Sequence, residues 1–253
     1  VTTLAVIPAR LGATRLPRKP LRLLGGAPLI VRVWERLAAL ALADRIVVAT
    51  DSDDVARAAR DAGAECHLTD PRHPSGTDRV AEVARLPEFA RYDVIVNVQG
   101  DEPFLSAEAT RGAIDLVASG AYPLGTAAVP APPTVLDAPD VVKVVRADDG
   151  RALYFSRAGI PFLRDGADRP ERDAIVLQHV GIYAYTRTAL ARWVALPPHP
   201  LERIERLEQL RPLAAGMAMG VAVLDEAAPR GIDTEEDLRL ANDRWTTLMS
   251  GRA

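Results

Sequence analysis

The sequence is short of cysteine, aromatics and lysine, and each shortage excludes something. Across 253 residues there is one cysteine, Cys66, so an intrachain disulfide and a cysteine-based zinc site are excluded and a reducing compartment fits. Aromatic residues make up 5%, too few for a base-stacking platform, and a net charge of −3 speaks against a broad basic footprint; no nucleic acid partner is expected. The longest apolar runs, such as Val94-Ile95-Val96 and 37–43, fall far short of a bilayer span, so no membrane partner is expected either. No positive n-region with an apolar h-region opens the chain, so the reading is no signal peptide and a cytoplasmic location. Neither a Walker A loop nor a G-x-G-x-x-G fingerprint occurs. Of 31 lysines plus arginines, only Lys19 and Lys143 are lysines. In so arginine-rich a chain a retained ammonium, compact and with three movable donors, invites a reason.

What is present is the composition of a globular α/β protein, 48% hydrophobic and 26% charged, with no linker long enough to mark a domain boundary. Short apolar runs and helical spacings alternate through the first half. Strands are predicted over 4–9, 45–50, 65–68 and 93–98, and helices over 29–42, 52–62, 77–86 and 106–119. Gly63 is a helix stop, Ser106 a plausible N-cap, and Thr234 with Asp237 resembles a capping box. This alternation predicts right-handed βαβ units and a parallel sheet. The second half is denser in strands, at 125–129, 141–146, 152–156, 181–185 and 218–224, with helices over 201–215 and 234–249, and predicts a mixed extension.

In open parallel sheets ligands bind beyond the carboxyl ends of the strands. The loop after the first strand carries Arg10, Arg15, Arg18 and Lys19 around Gly12, a set able to cradle a triphosphate; the same loop also reads as a solvated basic turn. The turn Gln99-Gly100-Asp101-Glu102-Pro103 follows the most hydrophobic strand. A carboxylate there, Asp101, suits Mg²⁺, which prefers one or two carboxylates plus phosphate oxygens, and Glu102 then takes a structural part. Asp233 reads either as a helix N-terminal acid or as a second metal ligand. The stretch 73–79 is a nucleotide loop or a turn into a helix, and Arg157 binds a carboxylate or lies on the surface. His179, Tyr183 and Tyr185 alternate on one strand, for core, interface or substrate contact, and Glu208 and Gln209 lie on a charged helix. Cys66 reads as inert, and His67 and His199 have no evident partners.

Taken in order, these pieces resemble the 3-deoxy-manno-octulosonate (KDO) cytidylyltransferase family, the CMP-KDO synthetases. They are VIPARLGATRLPRKPL (6–21), VATDSDDVARAARDAGAE (48–65), HPSGTDRVAEV (73–83) and VIVNVQGDEP (94–103). VVKVVRADDGRALYFSRAGIPF (141–162), HVGIYAYTR (179–187), LERIERLEQLR (201–211) and GIDTEEDL (231–238) complete the set. The resemblance implies a Rossmann-like nucleotidyltransferase fold, similar to glycosyltransferase-A, with a mixed, mostly parallel central sheet. It implies one domain over 1–253, with about 1–125 mainly nucleotide-binding and about 126–225 mainly for the sugar and a homodimer contact. It implies CTP and KDO as substrates, CMP-KDO and pyrophosphate as products, a part in lipopolysaccharide synthesis, and Mg²⁺ as cofactor. By position, Arg10, Lys19, Asp101 and Asp233 match catalytic residues, the two aspartates as metal ligands. Arg10, Thr14, Arg15, Lys19, Ser75, Gly76 and Arg79 match nucleotide-binding ones, and Gln99, Arg157, His179, Tyr183, Glu208 and Gln209 sugar-side ones. Arg18 stands where many relatives carry glycine, 163–176 matches no part of the pattern, and Lys143 falls inside a motif without an assigned role. The alternatives are a cytidylyltransferase for another acidic sugar, amino-KDO or a sialic acid, and a non-catalytic nucleotide-binding module.

Overall fold

Seven consecutive buried residues open the fold: β1 (Thr3–Ala9) is apolar on both faces, as a parallel strand covered on each side must be. The computed structural model describes residues 1–12, 15–225 and 231–250, the last three by backbone alone. After β1 come a two-residue hairpin, β2 (Leu23–Leu24) and β3 (Ala27–Pro28), then α1 (Leu29–Leu40), β4 (Arg45–Thr50), α2 (Asp53–Asp61), β5 (Glu65–Leu68), α3 (Gly76–Ala84) and β6 (Val94–Asn97). These strands pair in the order β6-β1-β4-β5, and the pairings β1–β6, β1–β4 and β4–β5 are all parallel. Each crossover helix starts and stops for a local reason. Ser52 and Ser75 cap α2 and α3 by accepting from the backbone N–H of Val55 and Asp78, and Gly63 follows α2 at φ +91°, where a side chain would be strained.

The chain divides into two compact units, and the elements so far belong to the one made of Thr2–Ser106 with the stretch from 231 on. The other unit begins at Ala107. Its elements are α4 (Ala107–Ala118), β7 (Leu124–Pro130), β8 (Lys143–Arg146), β9 (Ala152–Ser156), α5 (Arg169–Ala174), β10 (Leu177–Thr186), α6 (Arg187–Ala195), α7 (Pro200–Glu205), α8 (Leu210–Ala214) and β11 (Met219–Val223). Here β7 lies between a parallel β11 and an antiparallel β10, and β8 pairs antiparallel with β10 and β9. Helix α4 sits so close to β7 that a Cβ at Gly125 would meet the Ala113 carbonyl oxygen at 2.4 Å. The aromatic core of this unit stacks Tyr185 and Tyr183 against Trp193, edge to face.

The last helix, α9 (Glu235–Ser250), returns to the first unit. Leu238 and Ala241 join Leu16, Leu24, Leu29 and Ile232 in one buried cluster, which ties the start of α9 to the loop after β1. The expected capping box is present: Asp237 N–H donates to Thr234 Oγ1 and Thr234 N–H to Asp237 Oδ2.

The expected α/β class, with a mixed and mostly parallel set of strands, is what the structure shows. It differs from the sequence reading in the second half. The single helix expected over 201–215 is two, because Arg206 takes a left-handed φ of 56° and ends α7 there. Glu208 and Gln209 therefore lie in the connection, not on a helical face. Strand β10 starts four residues before the expected 181, and two helices, α5 and α6, had no sequence signal. Among the described residues no helix is long and apolar enough to cross a membrane.

Candidate active site

Three chain segments far apart in sequence meet at one ammonium. Beyond β1 the chain turns through a 3-10 helix at Lys19–Leu21, and beyond β6 it turns through Gly100, where a Cβ would lie 2.8 Å from the Pro8 carbonyl oxygen. Glycine thus lets the end of β6 pass close beside β1. The Asp101 carbonyl accepts from Ile232 N–H at 2.9 Å, which brings the next residue, Asp233, alongside. Lys19 Nζ then donates to Asp101 Oδ2 at 2.6 Å and to Asp233 Oδ1 at 2.8 Å, and Arg15 pairs with Asp233 Oδ2 at 2.9 Å. Burial alone would push the Lys19 pKa down; the two carboxylates outweigh it and hold it above its ordinary value. The neighbouring Glu102 is pushed up to about 8, first by burial and then by the Asp101 and Asp233 charges. Sequence reasoning missed this property of Glu102, because nothing in QGDEP announces the crowding by Asp233.

The remaining nucleotide-side candidates lie around the same strand ends. Arg10 is exposed immediately after β1 and pairs with no carboxylate among the described residues. Ser75 caps α3, its hydroxyl also donating to Asp78 Oδ2 at 2.7 Å, and a Cβ at Gly76 would touch Pro8 Cγ at 3.3 Å. Arg79 is buried, 3% exposed, with its guanidinium on Asp51 Oδ2 at 3.1 Å and on the Thr69 hydroxyl, so its contacts are those of a strut for the loop. Thr14 lies outside the described residues. Arg18 has a left-handed φ of 55°, the conformation glycine adopts without penalty, and it pairs with Asp54 at 2.9 Å.

The sugar-side candidates are held differently. Gln99 lies two residues beyond β6 in the first unit, its carbonyl accepting from Glu102 N–H at 3.2 Å. The others belong to the second unit. Arg157 is anchored through its backbone N–H to Glu205 Oε2 at 2.9 Å, through Nε to the Glu205 carbonyl at 2.8 Å, and through Nη1 to the Pro139 carbonyl at 3.0 Å. Lys143 is fully buried and donates to the carbonyls of Val141 at 2.7 Å, Ala138 at 3.0 Å and Arg157. Burial pushes its pKa down. Lys143 and Glu205 thus hold the Arg157 backbone from two sides. Sequence reasoning left Lys143 without a role and passed over Glu205, since both act on main-chain groups. His179 stands edge to face with Phe155 and beside Tyr183, at ring separations of 5.0 and 5.5 Å. Gln209 is buried and Glu208 half-buried between α7 and α8, which a buried Arg211–Glu202 ion pair ties together. His67 and His199 do have partners: His67 pairs with Glu65, and His199 caps α7.

The donor set at Lys19 fits a hard divalent cation. Two carboxylates converge on one positively charged atom, and magnesium takes one or two carboxylates and completes its shell from phosphate and water. No group of three or more His, Cys, Asp or Glu able to hold a metal forms among the described residues.

With this geometry in view, comparison with known proteins is informative. The model of the cytidylyltransferase family matches residues 4–219. A 3-deoxy-manno-octulosonate cytidylyltransferase of Gemmatimonas aurantiaca is 62% identical over 250 residues, 99% of this chain and 96% of that protein. The structure of a CMP:2-keto-3-deoxy-manno-octonic acid synthetase complexed with CTP superposes at a TM-score of 0.88, with 35% identity and full coverage of both chains. A 4-diphosphocytidyl-2C-methyl-D-erythritol synthase from Anaerococcus prevotii, TM-score 0.62 at 15% identity and covering 97% and 98% of the two chains, shares the fold alone. Similarity of this extent, over the segments that carry Lys19, Asp101 and Arg157, leaves one assignment: the chain belongs to the 3-deoxy-manno-octulosonate cytidylyltransferase family.

Proposed function

We propose that this protein transfers CMP from CTP to the C2 hydroxyl of KDO, giving CMP-KDO and pyrophosphate, as a CTP-dependent nucleotidyltransferase serving lipopolysaccharide synthesis. The observation that carries it is the pair Asp101 and Asp233 converging on Lys19 beyond the ends of parallel strands, with Arg15 beside them. In the reaction the C2 oxygen bonds to the α-phosphorus, the bond to the β-phosphate oxygen breaks, and the hydroxyl proton leaves to solvent.

The problem these residues solve is repulsion, because an anionic sugar must approach a polyanion. Arg10, Arg15 and Lys19 are cations able to neutralise the β- and γ-phosphates as charge develops on them. With Lys19 and Arg15 drawn off by the triphosphate, Asp101 and Asp233 would hold Mg²⁺, which would supply Lewis-acid polarisation of the phosphate. Thr14, Ser75, Gly76 and Arg79 belong to the nucleotide part, about 1–125. Ser75 and Gly76 offer a helix start, and Arg79 braces the loop. Arg157, held rigidly by Glu205 and Lys143, orients the sugar carboxylate; Gln99, His179, Tyr183, Glu208 and Gln209 hold its hydroxyls. The sugar part, about 126–225, also carries the homodimer contact, and the protein acts in the cytoplasm. Holding both reactants in line carries much of the rate, and no residue is required as a general base.

The test is pyrophosphate release from CTP with Mg²⁺, run in parallel with KDO, its amino analogue and N-acetylneuraminate. The expected result is fast release with KDO that stops on addition of EDTA. Release with another sugar alone would overturn the sugar assignment, and no release from a folded, CTP-binding protein would point to the binding module.

A further inference from the structure

The pairing of β10 with β7 contains a bulge. His179 lies opposite Ala128 and Val180 opposite Ala127, but the next partner, Thr126, faces Tyr183, so Gly181 and Ile182 are extra residues on β10. The Thr126 hydroxyl fills the irregularity. Its Oγ1 lies 2.7 Å from the Ile182 carbonyl oxygen, 3.3 Å from the Val180 carbonyl oxygen and 2.9 Å from His179 Nε2. A hydroxyl has one proton and a carbonyl only accepts. The short contact to Ile182 therefore takes the Thr126 proton, and the contact to His179 must run the other way, with Nε2–H donating to Oγ1.

We infer that Thr126 fixes His179 as the Nε2–H tautomer, so that Nδ1 is presented as an uncharged acceptor for a hydroxyl of the acid sugar. This rests on the sugar-side role proposed above for His179, and it makes Thr126 a positioning residue for substrate recognition. Three further observations support it. Burial holds the His179 pKa down to about 3, so the imidazole does not take a second proton at neutral pH. Nδ1 has no hydrogen-bond partner among the described residues. Phe155 and Tyr183 pack against the ring and fix its plane. A lone pair in this position accepts from a hydroxyl and repels a carboxylate. It therefore sorts the two kinds of oxygen on the substrate and leaves the carboxylate to a cation.

The experiment is a long-range ¹H–¹⁵N correlation spectrum of protein labelled at histidine nitrogen, at neutral pH. The His179 signals are assigned by their loss in His179→Gln. In the wild type the pattern should be that of a neutral ring protonated on Nε2. Thr126→Val should populate the Nδ1–H tautomer and raise KM for KDO about three- to tenfold, the range of one hydrogen bond. Because that bond is to bound ground state and transition state alike, kcat and KM for CTP should stay within about twofold. Thr126→Ser, which keeps the hydroxyl, should restore both readouts. A wild-type ring protonated on Nδ1, or on both nitrogens, would overturn the inference, and that reading needs no variant to fold. So would an unchanged KM for KDO in Thr126→Val. Failure of the proposed function shows separately, as absence of pyrophosphate release by the wild type with KDO. The spectrum then still decides the Thr126–His179 arrangement, and the sugar contact falls.

Discussion

The two compact units hold their candidate residues by opposite kinds of force. Around Asp101 the side chains hold one another by charge, Lys19 on two carboxylates and Arg15 on one of them, and Glu102 beside them is kept from ionising by burial first and then by the same two carboxylates. Around Arg157 they hold the main chain: Lys143 on three carbonyls, Arg157 on the Glu205 and Pro139 carbonyls, Thr126 on the Ile182 carbonyl. The first arrangement can be exchanged by an incoming anion and cation, since the Lys19 and Arg15 contacts are ion pairs that another ion can replace. The second offers a ligand nothing to exchange, because its partners are fixed in the backbone. A polyanion with its metal suits the first, and a neutral pattern of hydroxyls with one carboxylate suits the second.

Four substitutions probe this contrast, from the largest expected effect to the smallest. Asp101→Asn should lower kcat by roughly 100-fold or more, the scale of one lost transition-state electrostatic contact, while the protein stays folded. Steady-state pyrophosphate release at saturating Mg²⁺ reads it, and near wild-type turnover would remove Asp101 from the metal site. Lys143→Met should do the reverse. It orphans buried carbonyls at a cost of roughly 2 kcal/mol, visible as a lower midpoint in urea unfolding, and it raises KM for the sugar more than KM for CTP. An unchanged midpoint would mean that those carbonyls find other partners.

The third concerns Glu102. Its folded pKa of about 8 lies above the ordinary 4.5. Between those values the unfolded chain has released a proton that the native chain keeps, so the metal-free protein loses stability as pH rises through that window, by at most about 1.4 kcal/mol per pH unit. Glu102→Gln should flatten the profile of unfolding midpoint against pH; a profile of the same slope would show that Glu102 is ionised throughout. The smallest effect belongs to Arg18→Gly. Relief of the left-handed backbone gains about 1 kcal/mol, while added freedom of the unfolded chain and loss of the exposed Asp54 pair each cost up to about 1 kcal/mol. The net change in unfolding free energy should fall within about 1 kcal/mol of zero, and a larger destabilisation would show that the Arg18–Asp54 pair matters more than its exposure allows.

The same contrast explains what could be read from the sequence. Apart from the short β2–β3 hairpin, the strands and helices up to β6 announce themselves, because apolar runs, helical spacing and Gly63 are local signals. Asp101 is legible because it directly follows an apolar strand, and the basic loop because it follows another. That Asp233 joins them is not legible from spacing, since 214 residues separate it from Lys19; the family resemblance supplied it. In the second half the signals fail for physical reasons. Arg206 breaks a helix from a left-handed conformation that arginine rarely takes, so the pattern over 201–215 reads as one helix. Lys143, Glu205 and Thr126 act on carbonyls and amides, which every residue possesses, so no side-chain pattern marks their targets. The bulge that joins Thr126 to His179 depends on register between strands and has no trace in either strand alone.

The central claim is that Asp101 and Asp233, released from Lys19 by a triphosphate, form with it one cation site. Electron paramagnetic resonance of Mn²⁺ tests this most directly, by counting free metal as protein is titrated in the presence of CTP. The account predicts that the wild-type protein with CTP removes more Mn²⁺ from solution than CTP does alone, and that Asp101→Asn and Asp233→Asn each bring the count back to that of CTP alone. Mn²⁺ binding that is undiminished in both variants would contradict it.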